Sequence, residues 1–139
     1  MPDAQQKYFA PRPQSVKDAR DFAASIVTSW GLDDTDIRLC VSELATNALL
    51  HGSDTAHGFL VRLEADDRLV RLEVHDIREE CTQQLKSAQP AATDLRGRGL
   101  LIVETLAADW GVERRRPRGK VVWTHFKPTP KATCQAAPC

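Results

Sequence analysis

Hydrophobic positions in this chain change period twice, and the changes mark out its elements. Over residues 15–30, Val16, Ala19, Ala23, Ile26, Val27 and Trp30 recur at helical spacing, with Phe22 alongside. Ser15 is the expected N-cap of this first helix and Gly31 its stop. Asp33-Asp34-Thr35-Asp36 supplies further N-cap candidates, with negative charge where a helix start favours it. Ile37, Val41, Leu44 and Ala48 form the apolar face of a second helix that ends at His51-Gly52.

From Gly58 the period falls to two. Phe59, Val61, Leu63 and Ala65 face one way, and Leu60, Arg62 and Glu64 the other. Asp66-Asp67-Arg68 turns the chain, and Val70, Leu72 and Val74 repeat the alternation up to His75-Asp76. This predicts a hairpin with one buried face. Residues 77–96 are polar and aperiodic, which fits a functional lid or a surface insertion. Gly97-Arg98-Gly99 opens a third helix, expected over 100–110, with Leu100, Val103, Leu106 and Ala107 as its stripe and Gly111 as its C-cap. Two strands follow, over 112–116 and 120–127, joined through Pro117-Arg118-Gly119. Val121 and Trp123 share one face of the second strand, and Val122, Thr124 and Phe126 the other. Near the start, Tyr8-Phe9-Ala10 reads as a short edge strand before Pro11-Arg12-Pro13 breaks it.

The element order predicts an α+β fold. Its form is a two-layer α/β sandwich, a mostly antiparallel mixed sheet with helices on one face. Residues 1–7 are expected to be a flexible N-terminus, 8–127 the domain, and 128–139, with Pro128, Pro130 and Pro138, a disordered tail.

Composition narrows the function classes. At 139 residues the chain is one domain able to bury a core. Nineteen Lys and Arg balance nineteen Asp and Glu, so no whole-molecule field attracts nucleic acid or an anionic membrane. No apolar run approaches the ~18–20 residues that span a bilayer, and residues 1–7 lack a signal-peptide core, which argues for the cytoplasm. Cys40, Cys81, Cys134 and Cys139 include no C-x-x-C pair and the four His are scattered, so reduced thiols are expected rather than zinc or disulfides. Arg114-Arg115-Arg116, Arg118 and Lys120 are basic, but alternation splits the three arginines between two faces, as on a solvated hairpin, and no nucleic-acid motif accompanies them.

Three local signals carry chemistry. Glu43 and Asn47 are one helical turn apart, and a carboxylate beside an amide oxygen suits a hard cation and a proton acceptor. A solvated helix face has the same appearance. Gly97-Arg98-Gly99 before a helix offers backbone N–H groups and a positive helix end to a phosphate, or is an ordinary loop-to-helix turn; no G-K-[ST] follows it. Asp76, ending a strand, can accept from an exocyclic amine such as that of adenine, or simply initiate a turn.

In this order the three resemble the motifs of the histidine-kinase-like ATPases (the Bergerat or GHKL fold), and within them the anti-sigma-factor serine/threonine kinases of actinobacterial type. Ser42-Glu43-Leu44-Ala45-Thr46-Asn47-Ala48 with His51-Gly52 is similar to that family's N-box. The run from Gly97 to Val103, continuing to Ala107-Ala108-Asp109-Trp110-Gly111-Val112, resembles its second glycine box, and Gly119-Lys120-Val121-Val122-Trp123 its closing strand. The resemblance spans residues 8–127. It implies ATP and Mg²⁺, with Asn47 as metal ligand, Glu43 as general base and Asp76 on the adenine amine. It further implies nucleotide contacts from His51, Arg96, Gly97, Arg98, Gly99, Leu100 and Leu101, with residues 77–96 as the lid. Implied partners are a STAS-type anti-anti-sigma protein, a sigma factor and a second copy in a homodimer, with no direct nucleic acid and no membrane. Two positions depart from the pattern. Ile77 stands where the family has glycine, and Val121 where it has threonine after Gly-Lys. They leave a binding-only regulator of the same fold as the alternative to a kinase.

Overall fold

The computed structural model describes residues 4–50, 57–76, 97–114 and 119–131, with the backbone alone at 50 and 97–100. The elements run β1 (Gln5–Phe9), α1 (Gln14–Ser29), α2 (Thr35–Leu50), β2 (Phe59–Ala65), β3 (Val70–Asp76), α3 (Gly97–Leu106), β4 (Asp109–Arg114) and β5 (Lys120–Phe126). The strands form one sheet in the order β1-β2-β3-β5-β4, and every pairing is antiparallel. The fold is therefore α+β, a five-stranded antiparallel sheet with helices packed on it.

Alternation drives the sheet. Along β3 every second residue, Val70, Leu72, Val74 and Asp76, is buried, while Arg71, Glu73 and His75 are partly exposed. Val61 and Leu63 of β2, with Val27, Val41, Leu44 and Val103 from the helices, complete the core. Phe9 stacks on Phe59 at 5.5 Å and meets Phe22 edge-on at 5.9 Å, which seats α1 over the first two strands. The buried hydroxyl of Thr124 donates from Oγ1 to the Leu72 carbonyl at 3.0 Å, so it sits in the core with its bond made. Among the described elements α2 packs against α1, α3, β2 and β3, which makes it central to the helix layer.

Four expectations need correction. α1 starts at Gln14, with Pro13 in the N-cap position already helical at φ −56°. Ser15 is not the cap; it lies inside the helix, buried, and donates to the Ala10 carbonyl at 2.6 Å. Proline fixes its own φ near the helical value, which lets the helix begin early. The second correction is at β1, which begins at Gln5 rather than Tyr8, so residues 5–7 belong to the sheet. All of β1 except Phe9 is exposed, leaving no apolar signal to read.

α3 runs over Gly97–Leu106, earlier at both ends than its apolar spacing predicts. Ala107 and Ala108 leave the helix because the Ala108 amide joins the sheet, donating to the His125 carbonyl at 2.7 Å. Gly111 is consequently no C-cap but the middle of β4, opposite Trp123, where an added Cβ would come within 2.6 Å of the indole. Finally, residues 128–131 are docked rather than loose. The Asp33 amide donates to Thr129 and the Lys131 amide to Gly31, bracketing a bridge between Leu32 and Pro130. Gly31 itself ends α1 as expected, at φ 79°. Residues 132–139 lie outside the described residues.

Candidate nucleotide site

Five elements point to the same end of the sheet. β3 finishes there with Asp76, whose cross-strand partners are Phe59, the first residue of β2, and Lys120, the first residue of β5. α2 ends at Leu50 and the chain re-enters the sheet at Phe59, so the second half of α2 is brought to that end. α3 packs on α2 and finishes at the opposite end of β5, where the Ala108 amide donates to the His125 carbonyl and Leu106 lies with Ile37 and Phe126. Its first turn is therefore directed back toward the Asp76 end. Helix packing and pairing register thus direct the segments that carry the three chemical signals toward one end of the sheet.

On α2, Ile37, Cys40, Val41, Leu44 and Ala45 are buried, whereas Glu43 and Asn47 are partly exposed. One turn apart on a helix, they project as neighbours from its edge. Arg20 Nη1 of α1 donates to Ser42 Oγ at 3.1 Å, which ties the two helices directly beside Glu43. No periodicity predicts that bond. Behind Glu43 the Cys40 thiol is pushed up to about 12 by burial, with the charges of Asp36 and Glu43 adding to it. That thiol is inert filling rather than a nucleophile.

Asp76 is 3% exposed, the only carboxylate among the described residues that is buried. A carboxylate is rarely buried unless donors or a cation meet it, so its position is specific chemistry as well as structure.

Gly97-Arg98-Gly99 corrects a further expectation. The stretch does not precede the third helix as a loop but is its first turn. The N–H groups of a helix's first four residues, here 97–100, have no carbonyl four residues back within the helix, and they carry its positive end. Leu101 is 59% exposed. His51 and Arg96 lie outside the described residues, as do Ile77 and the expected lid at 77–96. Of the arginine cluster, Arg114 is the exposed end of β4, and residues 115–118 also lie outside.

The register of β3 and β5 reassigns one departure. Val121 pairs with His75 and shares the outer face of the sheet with Trp123 and His125, away from the helices. Lys120 pairs with Asp76 and, by alternation with Val122, Thr124 and Phe126, lies on the helix side. The side chain that borders Asp76 on β5 is therefore Lys120.

The outer face is an ion-pair ladder. Arg62 contacts Glu64 at 2.7 Å and Glu73 at 3.9 Å, and His75 Nε2 lies 2.7 Å from Glu73. Arg71 pairs with Glu73 and covers the Trp123 ring at 5.2 Å. Hydrogen bonds from His75 and then Arg71 bring the Glu73 carboxyl down to about 2, against the opposing effect of burial.

Among the described residues no helix is long and apolar enough to cross a membrane. The family model of the histidine kinase-like ATPase domain matches residues 9–126. No curated protein matches the chain.

Proposed function

The chain belongs to the histidine kinase-like ATPase domain family, and from that premise we propose that it is a cytoplasmic serine/threonine protein kinase of the anti-sigma type. ATP binding follows from the family. The finer reading assigns it a serine on a STAS-type anti-anti-sigma protein as phosphoryl acceptor, and a sigma factor as the protein it sequesters, with a homodimer as its working form.

The observation that supports this reading is the pair Glu43 and Asn47, one turn apart on the half of α2 directed, like the first turn of α3, toward the end of the sheet that holds Asp76. The donor set fits the group. An amide oxygen beside a carboxylate is hard oxygen chemistry of the kind that holds Mg²⁺, and a nearly buried carboxylate suits the amine of a base shielded from water. When bound, Mg²⁺ neutralises phosphate charge that accumulates during transfer.

Asn47 would hold that ion through its amide oxygen. Asp76 would accept a hydrogen bond from the adenine amine and so fix the distance of the phosphates from α2. The N–H groups of the first turn of α3, with the helix's positive end, would stabilise the phosphates. Glu43 would take the proton of the acceptor serine as its oxygen bonds to the γ-phosphorus; the bond from that phosphorus to the bridging oxygen breaks, and ADP leaves. Positioning and electrostatics are most of what such a site must supply.

The alternative, a binding-only regulator, draws on Ile77 and Val121, and Val121 sits on the face of the sheet opposite to Asp76. The deciding experiment is incubation of the chain with labelled ATP, Mg²⁺ and candidate STAS-type proteins, scored for phosphoserine. Metal-dependent labelling of one partner is expected. Calorimetry that detects no Mg-ATP binding at millimolar nucleotide would overturn the kinase reading.

A further inference from the structure

We infer that Lys120 is a base-reading residue, whose ammonium group donates to the ring nitrogen beside the amine that Asp76 accepts. The inference rests on the assignment of Asp76 to the adenine amine and adds a second contact to it.

The placement comes from the register. Asp76 and Lys120 are direct cross-strand partners on β3 and β5. Both belong to the helix-facing side: Val70, Leu72 and Val74 precede Asp76 on that face, and Val122, Thr124 and Phe126 follow Lys120 on it. Side chains so paired have Cβ atoms about 4.5–5.5 Å apart, which sets a lysine head within reach of the same small group as the carboxylate. On the other side of Asp76 stands Phe59, fully buried, with no polar atom to offer. Any base held by Asp76 therefore meets no polar side chain from Phe59 on the β2 side and a cationic donor on the β5 side.

The chemistry of the purine edge matches that order. Adenine presents an amine donor at C6 and, next to it, the N1 acceptor. A carboxylate followed by an ammonium is the complementary sequence of acceptor and donor. The lysine's four methylenes can lie along apolar surface while the head reaches the base, and Lys120 is itself only partly exposed. A hydrogen bond to a charged donor in such a setting is stronger than one to a neutral hydroxyl. Its removal should cost about 5–30-fold in affinity.

The test is a cycle between protein and ligand, read by calorimetry on the full chain with Mg²⁺. ATP and 1-deaza-ATP, in which a C–H replaces N1, are titrated into the parent protein and into Lys120→Met, which keeps the stem and loses the charge. The parent should bind 1-deaza-ATP about 5–30-fold more weakly than ATP. Lys120→Met should bind the two alike, and Lys120→Arg should keep much of the discrimination. Equal affinities in the parent, or the same loss in the parent and in Lys120→Met, would overturn the inference. The parent comparison needs no variant, so a poorly folding Lys120→Met does not remove the test. A parallel cycle between Asp76→Ala and the triphosphate of purine riboside, which lacks the amine, reports on Asp76 separately. Failure there removes the amine contact, while the N1 cycle reports on Lys120 alone.

Discussion

The Asp33 amide donates to the Thr129 carbonyl at 2.7 Å, joining the residue just ahead of α2 to the chain beyond the last strand. With the reciprocal bond from the Lys131 amide to Gly31 at 2.9 Å, it makes a two-stranded clasp around Leu32 and Pro130. The clasp closes over the turn between α1 and α2. It therefore stabilises the start of the helix that carries Glu43 and Asn47, through backbone groups that no side-chain pattern reveals.

Lys131→Pro deletes the donor of one clasp bond and should lower unfolding stability by about 1 kcal/mol. Lys131→Ala keeps that donor, and its side chain is exposed, so it should fall within about 0.5 kcal/mol of the parent. Urea denaturation of the two variants separates them. Equal stabilities would mean that the clasp holds nothing.

Glu73 gives the outer face an acid-sensitive element. Its carboxyl, held down at about 2 by His75 and Arg71, has an ordinary value of 4.5. Between those values the unfolded chain takes up a proton that the folded chain refuses, so the unfolded state binds more protons and stability rises with pH. The contribution is present above pH 4.5 and is lost as pH falls toward 2. Solvent access to the ladder screens it to the order of 1–2 kcal/mol. Glu73→Gln should flatten this acid limb in denaturation curves taken from pH 6 down to pH 3, and an unchanged limb would assign the effect elsewhere.

Cys40 behaves in the opposite sense. Its thiol lies at about 12 in the folded chain against an ordinary 9.0, so from pH 9 upward the unfolded chain loses a proton that the folded chain keeps. The unfolded state then binds fewer protons, and stability falls across that window and is unaffected at neutral pH. At pH 8 the peptide containing Cys40 should stay unlabelled by iodoacetamide in the native protein and become labelled in denaturant. Rapid native labelling, read by mass spectrometry, would show that α2 opens locally.

How much of this was legible in the sequence depended on where each side chain points. The hairpin of β2 and β3 could be read residue by residue because one face is buried and the other is wet, so its period of two is plain. The face of α2 was legible for the same reason, at the helical period. β1 carries almost no apolar signal, and the end of α3 is governed by a backbone bond from Ala108 into the sheet, so local spacing misplaced both. The site followed the same division. Its residue types and their order were present in the sequence, but their convergence depends on connectivity and register. That Lys120 and not Val121 stands across from Asp76 shows the difference, because one residue along a strand moves a side chain to the other face.

The pair on α2 yields the sharpest test of mechanism. Asn47→Ala removes the proposed metal ligand, so ATP affinity should lose its dependence on Mg²⁺. Glu43→Gln keeps size and helix propensity but cannot accept the proton, so affinity for Mg-ATP should stay within about twofold while phosphoryl transfer falls by about 10²–10⁴. Both side chains are partly exposed at the helix edge rather than in its buried stripe, so neither substitution should unfold the protein. Calorimetry gives the affinities and single-turnover transfer gives the rate. Glu43→Gln that transfers at the parental rate would remove Glu43 from the chemistry. Asn47→Ala that still binds better with Mg²⁺ than without it would place the metal on other residues. Because the two substitutions lie one turn apart on the same helix and are predicted to fail in different steps, a shared defect of equal size in binding and transfer would point instead to a displaced α2.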